Sequence, residues 1–173
     1  MTPSCYGLYI SSCYGRVEVL DRNKSAVLYR AEVQLSKPQL YIYRPLTEMF
    51  CDEIVALATF RRFSSAINIQ IYDGEHLDMR RKNLLSSTHT LRVEGRRWSW
   101  RRDGILKGNL RLINVTSNRT IATFHKKTSW SGKMLGIFTV FGTHQSPVLD
   151  AVIVTGLAKL GYQWLAQSMA SGT

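Results

Sequence analysis

The stretch Ser146–Ala170, SPVLDAVIVTGLAKLGYQWLAQSMA, decides the fold of this chain. It predicts one helix, because Pro147 suits the first helical position and Asp150 lies near the positive end of the helix dipole. Its apolar residues lie on every side of such a helix; they are Val148, Leu149, Val152, Ile153, Val154, Leu157, Ala158, Leu160, Trp164 and Leu165. A helix that is apolar all round is surrounded either by protein or by membrane.

The length of the apolar stretch favours burial inside protein. Residues 151–166 would extend roughly 24 Å at about 1.5 Å per residue. A membrane span needs about 20 apolar residues, and Lys159 interrupts this stretch. We therefore expect the helix to be buried in protein, with the rest of the chain wrapped around it. Insertion of the helix into a membrane is the alternative.

The chain before the helix consists of short apolar segments separated by turn residues, which is typical of strands. We expect Pro45 to end one strand, and residues 79–85 to be a strand end followed by a loop. Ten or more strands and one apolar helix predict a closed antiparallel sheet whose interior the helix fills. The expected strands are 6–10, 17–20, 26–34, 40–43, 53–60, 66–72, 90–94, 97–102, 108–113, 120–125 and 134–141.

Two glycines within the helix support the same architecture. Glycine in a helix interior costs about 1 kcal/mol relative to alanine. Gly156 and Gly161 therefore predict that the barrel wall approaches the helix closely at these two positions.

Length and cysteine content suggest one intracellular domain. The chain has 173 residues, of which 45% are hydrophobic, and we expect a single domain over residues 1–173. Its first residues lack the features of a signal peptide. Cys5, Cys13 and Cys51 are an odd number of cysteines without metal-ligand spacing, which favours free thiols in a reducing compartment such as the cytoplasm.

Positive charge is concentrated in one block. The formal net charge is +11, and residues 96–133 contribute ten Lys or Arg against the single acidic residue Asp103. Such a block attracts phosphate groups of lipids or nucleic acids. The alternative is a charged, solvated face that only keeps the protein soluble.

Within this block we expect a phosphate- or lipid-binding patch. If the neighbouring Trp98, Trp100, Leu110 and Leu112 point into the core, the alternating arginines point outward, where their planar donor groups suit phosphate. Trp98 and Trp100 would otherwise be stacking platforms for bases. Arg80, Arg81 and Lys82 form a second, smaller cluster. The expected site residues are Arg97, Arg101, Arg111, Lys126 and Lys127.

Five segments carry a resemblance to a known family: RWSWRRDG at 97–104, LRLIN at 110–114, TIATFHKK at 120–127, GIFTVF at 136–141 and LDAVIVTGLAKL at 149–160. They resemble a fungal family of unknown function in the tubby C-terminal-like superfamily, which includes tubby, LURP-one-related and phospholipid scramblase proteins. The resemblance covers residues 54–165, and the N-terminal strands loosely. It implies a 12-stranded barrel around a central C-terminal helix, and binding of phosphoinositides or other phospholipids.

Four functions follow from these features. The leading hypothesis is a non-enzymatic module that docks peripherally on anionic phospholipid, with phosphoinositides as one lipid class. The alternatives are nucleic-acid binding through the same block, a protein-interaction barrel without a phosphate ligand, and lipid movement by a membrane-inserted helix. We expect no catalytic site, cofactor or metal, because the histidines lack paired metal spacing and there is no Gly-rich phosphate loop.

Overall fold

The computed structural model describes residues 2–10, 16–46, 51–61, 64–72, 75–127, 134–142 and 146–172. They form a mainly β structure with one helix at the C-terminal end. The strands are β1 Ser4–Ile10, β2 Arg16–Leu20, β3 Val27–Val33, β4 Leu40–Leu46, β5 Cys51–Phe60, β6 Ile67–Ile71, β7 His76–Arg81, β8 His89–Val93, β9 Arg96–Arg102, β10 Leu110–Asn114, β11 Arg119–Lys126 and β12 Met134–Val140. The helix, α1, is Ser146–Ala170.

Every strand pairs antiparallel with its neighbours in sequence, and β1 pairs with β12 to close the barrel. The predicted closed antiparallel barrel is therefore confirmed. A closed sheet leaves no unpaired edge. Its inward side chains come from alternate strand positions, so Trp98 and Trp100 are buried on β9 while Arg97 and Arg101 are exposed.

Helix α1 fills the barrel. Residues 151–161 are all buried, which explains why this stretch is apolar on every side. At Gly156 an added Cβ would lie 2.7 Å from the Phe138 ring and 3.2 Å from Trp100, and at Gly161 it would lie 3.3 Å from Phe60. The predicted close approach of the wall at both glycines is confirmed.

Polar contacts fix the direction of the helix in the barrel. Near its start, Asp150 accepts hydrogen bonds from the Tyr29 hydroxyl and from Arg44 Nη2, the latter at 2.7 Å. Burial, and then the neighbouring Asp150, raise the pKa of Tyr29. One turn further, Trp100 Nε1 donates to Thr155 Oγ1 at 2.9 Å, which satisfies an indole N–H inside the core.

One expectation about the strands is wrong. Pro45 does not end β4, which continues to Leu46. Beyond Tyr43 the strand pairs with β5 and no longer with β3, so the missing N–H of proline costs no ladder bond there. The expected strand end and loop over residues 79–85 is confirmed, because β7 ends at Arg81 and a loop follows. The strand begins further upstream, at His76, because Leu77 and Met79 alternate inward.

Cys5 and Cys51 are free thiols, while Cys13 lies outside the described residues. Among the helical residues described, none forms a segment long and apolar enough to cross a membrane.

Candidate functional site

The strand register brings two of the predicted site residues face to face. Arg101 on β9 and Arg111 on β10 are direct cross-strand partners, and both are exposed on the outer wall. Arg111 also forms an ion pair with Asp103, at 2.6 Å between Nη2 and Oδ1. Arg101 is exposed and forms no ion pair with any described residue, and its Nε donates to Ser99 Oγ at 3.4 Å.

Arg97 lies apart from this pair. It is the second residue of β9, and its cross-strand partner is Arg92 on β8. Four residues along a strand correspond to roughly 13 Å at about 3.3 Å per residue. Arg97 and Arg101 therefore share the outer face of β9 but lie toward opposite ends of the barrel.

Lys126 and Lys127 lie at the same end of the barrel as Arg101 and Arg111. Lys126 is the last residue of β11, and its backbone N–H donates to Asn109 Oδ1 at 2.9 Å. Its side chain is close enough to Gly108 that an added Cβ there would lie 2.7 Å from Lys126 Cδ. Four of the five predicted residues thus gather at one end.

This end is the one toward which helix α1 runs. We call it the rim, and define it by the described loop residues 34–39, 61, 64–66, 82–88 and 103–109 together with the last two turns of α1. Asp150 meets Arg44 near the opposite end, whereas Lys159 contacts Ser87 and His89 beside the rim. The helix therefore crosses the barrel from one end to the other.

The rim is basic. Asp103 is the only acidic residue in the sequence of its loop ranges, and Arg111 pairs with it. At the opposite end, by contrast, the described loops carry Asp21, Glu75 and Glu94 against Arg22 and Lys24, so acidic and basic residues nearly balance there. Arg16, beside the rim, pairs with Glu32. The other described cations at or next to the rim are Lys37, Arg61, Arg81, Lys82, Arg101, Arg102, Lys107, Arg111, Lys126, Lys127 and Lys159.

The rim also exposes large apolar side chains. Leu85 is 97% exposed at the tip of the β7–β8 loop, and Ile105 is 94% exposed at the tip of the β9–β10 loop. Leucine and isoleucine in water at loop tips are unfavourable unless they meet an apolar partner. The exposed apolar residues of the rim are Leu35, Leu84, Leu85, Ile105, Leu106 and Met169.

A cavity of about 390 Å³ opens at the rim beside the helix. Four cationic side chains line it, and its described lining contains no carboxylate. One of these cations belongs to β7, one to β9, one to the β9–β10 loop and one to α1, so only the folded barrel brings them together. They are Arg81, Arg102, Lys107 and Lys159.

Lys159 is the most unusual of these residues, because it is only 2% exposed. Its ammonium donates to the Ser87 carbonyl and to His89 Nδ1, the latter at 2.6 Å. Burial, and then the positive charge of Arg81, lower the pKa of Lys159 to about 7.

His89 has one defined tautomer in this arrangement. Its Nε2 lies 3.1 Å from the Ser65 carbonyl, which can only accept, so Nε2 carries the proton and Nδ1 accepts from Lys159. Burial, and then the charge of Lys159, lower the pKa of His89 to about 3. His89 is thus a neutral acceptor that holds the ammonium in place.

Arg81 is a second cation beside the Lys159–His89 pair. It donates to Ser65 Oγ at 2.7 Å and to the Tyr162 hydroxyl at 3.0 Å, while its buried Nε has no described acceptor. All of its partners are neutral. Arg81 was expected only as part of a surface cluster, and Arg102, Lys107 and Lys159 were not among the expected site residues.

Metal chemistry finds no support in the part of the chain that the structure describes, where no three His, Cys, Asp or Glu side chains cluster. His76 and His125 are exposed, His89 holds Lys159, and His144 lies outside the described residues. Trp98 and Trp100 are core residues rather than exposed stacking platforms.

Comparison with protein-family models, with curated proteins and with solved structures finds no match for this chain. The resemblance to the tubby C-terminal-like superfamily stays a prediction.

Proposed function

We propose that this protein is a non-enzymatic module that docks peripherally on an anionic phospholipid surface, and that the rim is the docking face. The observation that carries the proposal is the coincidence, at one end of the barrel, of exposed apolar loop tips and cations that pair with no carboxylate among the described residues. Apolar side chains insert at the boundary of head groups and acyl chains, and basic side chains bind lipid phosphates. The two features together suit a membrane surface better than either does alone.

The distribution of charge supports this orientation. A juxtamembrane Lys or Arg contributes about 1 kcal/mol on an anionic leaflet, and the effect fades within a Debye length. Rim cations such as Lys82 and Lys107 lie in the same loops as Leu85 and Ile105, so docking on these tips would bring them near the lipid phosphates. The loops of the opposite end, which carry Asp21, Glu75 and Glu94, would then face away from the membrane.

Among the predicted site residues, we assign a supporting role to Arg101, Arg111, Lys126 and Lys127. They adjoin the rim, and Arg101 has no described ion-pair partner. Arg97 is too far along β9 to share that role. The superfamily resemblance adds phosphoinositides as a candidate lipid class and the cytoplasmic leaflet as the location.

Nucleic-acid binding is the alternative that the same positive charge allows. It leaves the apolar tips without a partner, because nucleic-acid surfaces offer mainly phosphate and sugar to such loops. It also predicts affinity that falls steeply with salt for every polyanion. A purely protein-binding barrel would need neither phosphate nor lipid.

The test is co-sedimentation with vesicles of neutral lipid, phosphatidylserine or phosphoinositide, at low and physiological salt, with DNA as competitor. We expect binding to anionic vesicles that persists at physiological salt. Leu84→Ser with Leu85→Ser should weaken it about tenfold or more, since each leucine contributes about 1 kcal/mol or more on leaving water. Tyr72→Ser, at an exposed position of the opposite end, is the matched control and should change nothing.

Charge reversal on one strand locates the docking face. Arg101→Glu should weaken vesicle binding, whereas Arg97→Glu, on the same face of β9 but at its other end, should have a much smaller effect. Equal loss from both variants together with full competition by DNA would indicate a nonspecific basic surface. Absence of vesicle binding would refute the proposal and direct attention to protein partners.

A further inference from the structure

The cavity beside Lys159 is lined by four cations and by no described carboxylate. In the described part of the chain, no carboxylate pairs with Arg81, Arg102, Lys107 or Lys159. The nearest acidic residue along the chain, Asp103, pairs with Arg111 instead. Lys159 is buried and Arg81 is half-buried, whereas Arg102 and Lys107 are exposed. Buried charges in proteins are normally paired, so the two less accessible cations favour an anion as the missing partner.

Some N–H donors of these cations have no acceptor among the described residues. An ammonium has three N–H donors, and Lys159 uses two of them, toward Ser87 and His89. No third acceptor contacts its Nζ among the described residues. Arg81 Nε is buried and has no acceptor there either. Arg102 uses one nitrogen, Nη2, which donates to the Ile105 carbonyl at 2.6 Å.

Apart from its cations, the wall offers neutral polar groups. Asn109, Tyr162, Gln163 and Gln167 line the same cavity. Amide and hydroxyl groups bind the hydroxyls of a polyol or the remaining oxygens of a phosphate. A volume of about 390 Å³ lies in the range of small-molecule sites and exceeds what a bare phosphate fills.

We propose that this cavity is an anion site that takes a phosphomonoester, with Lys159 at its base and Arg102 and Lys107 at its entrance. Phosphate offers several strong acceptors, and charge-assisted bonds to Lys and Arg are the strongest of their kind. As a lipid-headgroup site the proposal rests on the proposed membrane docking. As a site for a soluble phosphate it stands without it.

The first experiment needs no membrane. Binding of inorganic phosphate is measured by isothermal titration calorimetry, with chloride added to keep the ionic strength constant. We expect saturable binding to one site. Arg102→Gln with Lys107→Gln removes two exposed entrance cations without touching the core, and should weaken binding about tenfold or more. Lys159→Met should abolish it. Arg97→Gln, on the outer wall, is the matched control and should bind as the unmodified chain does.

The second experiment distinguishes the source of the phosphate. Vesicles that contain phosphatidic acid, which carries a phosphomonoester, are compared with phosphatidylserine vesicles of equal surface charge. Preference for phosphatidic acid that disappears in Arg102→Gln with Lys107→Gln would identify a lipid headgroup. Saturable phosphate binding without that preference would support the site and identify a soluble phosphate compound as its ligand.

The outcomes separate this proposal from the docking proposal. Leu84→Ser with Leu85→Ser should lose vesicle binding but keep phosphate binding, because neither leucine lines the cavity. If inorganic phosphate does not bind, or if the entrance variant binds it as well as Arg97→Gln does, the anion site is refuted even where vesicle binding persists.

Discussion

Replacement of Lys159 by methionine should remove a specific pH dependence of stability. The side chain is 2% exposed, and burial followed by the charge of Arg81 lowers its pKa from 10.5 to about 7. That difference corresponds to about 5 kcal/mol of unfolding free energy. Methionine has a similar length and no charge, so Lys159→Met removes the titration while filling much of the same space.

The sign follows from proton binding. Below pH 7 both the folded and the unfolded chain carry the proton, and the folded chain bears the full cost of the buried charge. Between pH 7 and 10.5 the unfolded chain holds the proton more tightly, so the free energy of unfolding of the native sequence rises with pH. From pH 7 to pH 9 the rise due to Lys159 is about 2 kcal/mol.

The assay is urea unfolding followed by tryptophan fluorescence, in phosphate-free buffer at several pH values from 7 to 9. The difference in unfolding free energy between the native sequence and Lys159→Met should change by about 2 kcal/mol over this range. Groups that do not contact Lys159 titrate alike in both proteins and cancel in that difference. Lys82→Met, at an exposed rim lysine, is the control and should keep the native slope. Parallel curves for Lys159→Met and the native sequence would refute the account of Lys159 as a buried, titrating ammonium.

Two further predictions concern the packing of the helix in the barrel. Gly156→Ala should destabilise the fold by about 1–2 kcal/mol in urea unfolding despite the better helix propensity of alanine, because its Cβ would meet Phe138 at 2.7 Å; Gly161→Ala, with a nearest contact of 3.3 Å, should be close to neutral, and equal effects at both positions would contradict this. Thr155→Val should cost about 1–3 kcal/mol in thermal unfolding, because it leaves the Trp100 indole N–H unpaired in the core, whereas Thr155→Ser keeps the acceptor and should cost less.

The architecture could be predicted because local patterns carry it. The all-round apolar pattern of Ser146–Ala170 predicted both the bounds and the surroundings of α1. Alternation along β9 predicted that Trp98 and Trp100 lie in the core. Pro45 was misinterpreted, because whether proline interrupts a strand depends on which neighbour needs its N–H, and that depends on the pairing of β4.

The candidate site could be predicted only in part. The proximity of Arg101 and Arg111 could be predicted, because their strands are adjacent in sequence and pair with each other. The cavity was missed because Arg81, Arg102 and Lys159 are far apart along the chain and converge only through the direction of α1. In the sequence, Lys159 was interpreted as an interruption of an apolar helix, because no local pattern shows that His89 accepts a hydrogen bond from its ammonium.

The most direct test of the docking proposal is to measure which end of the barrel meets the membrane. An environment-sensitive fluorophore is attached to Leu85→Cys at the rim or to Tyr72→Cys at the opposite end, in a background with Cys5, Cys13 and Cys51 replaced by serine. On addition of anionic vesicles, the probe at 85 should shift to the blue and be quenched by lipid-borne quenchers, while the probe at 72 should not change. A shift at 72 without one at 85, or no shift at either position, would contradict docking through the rim.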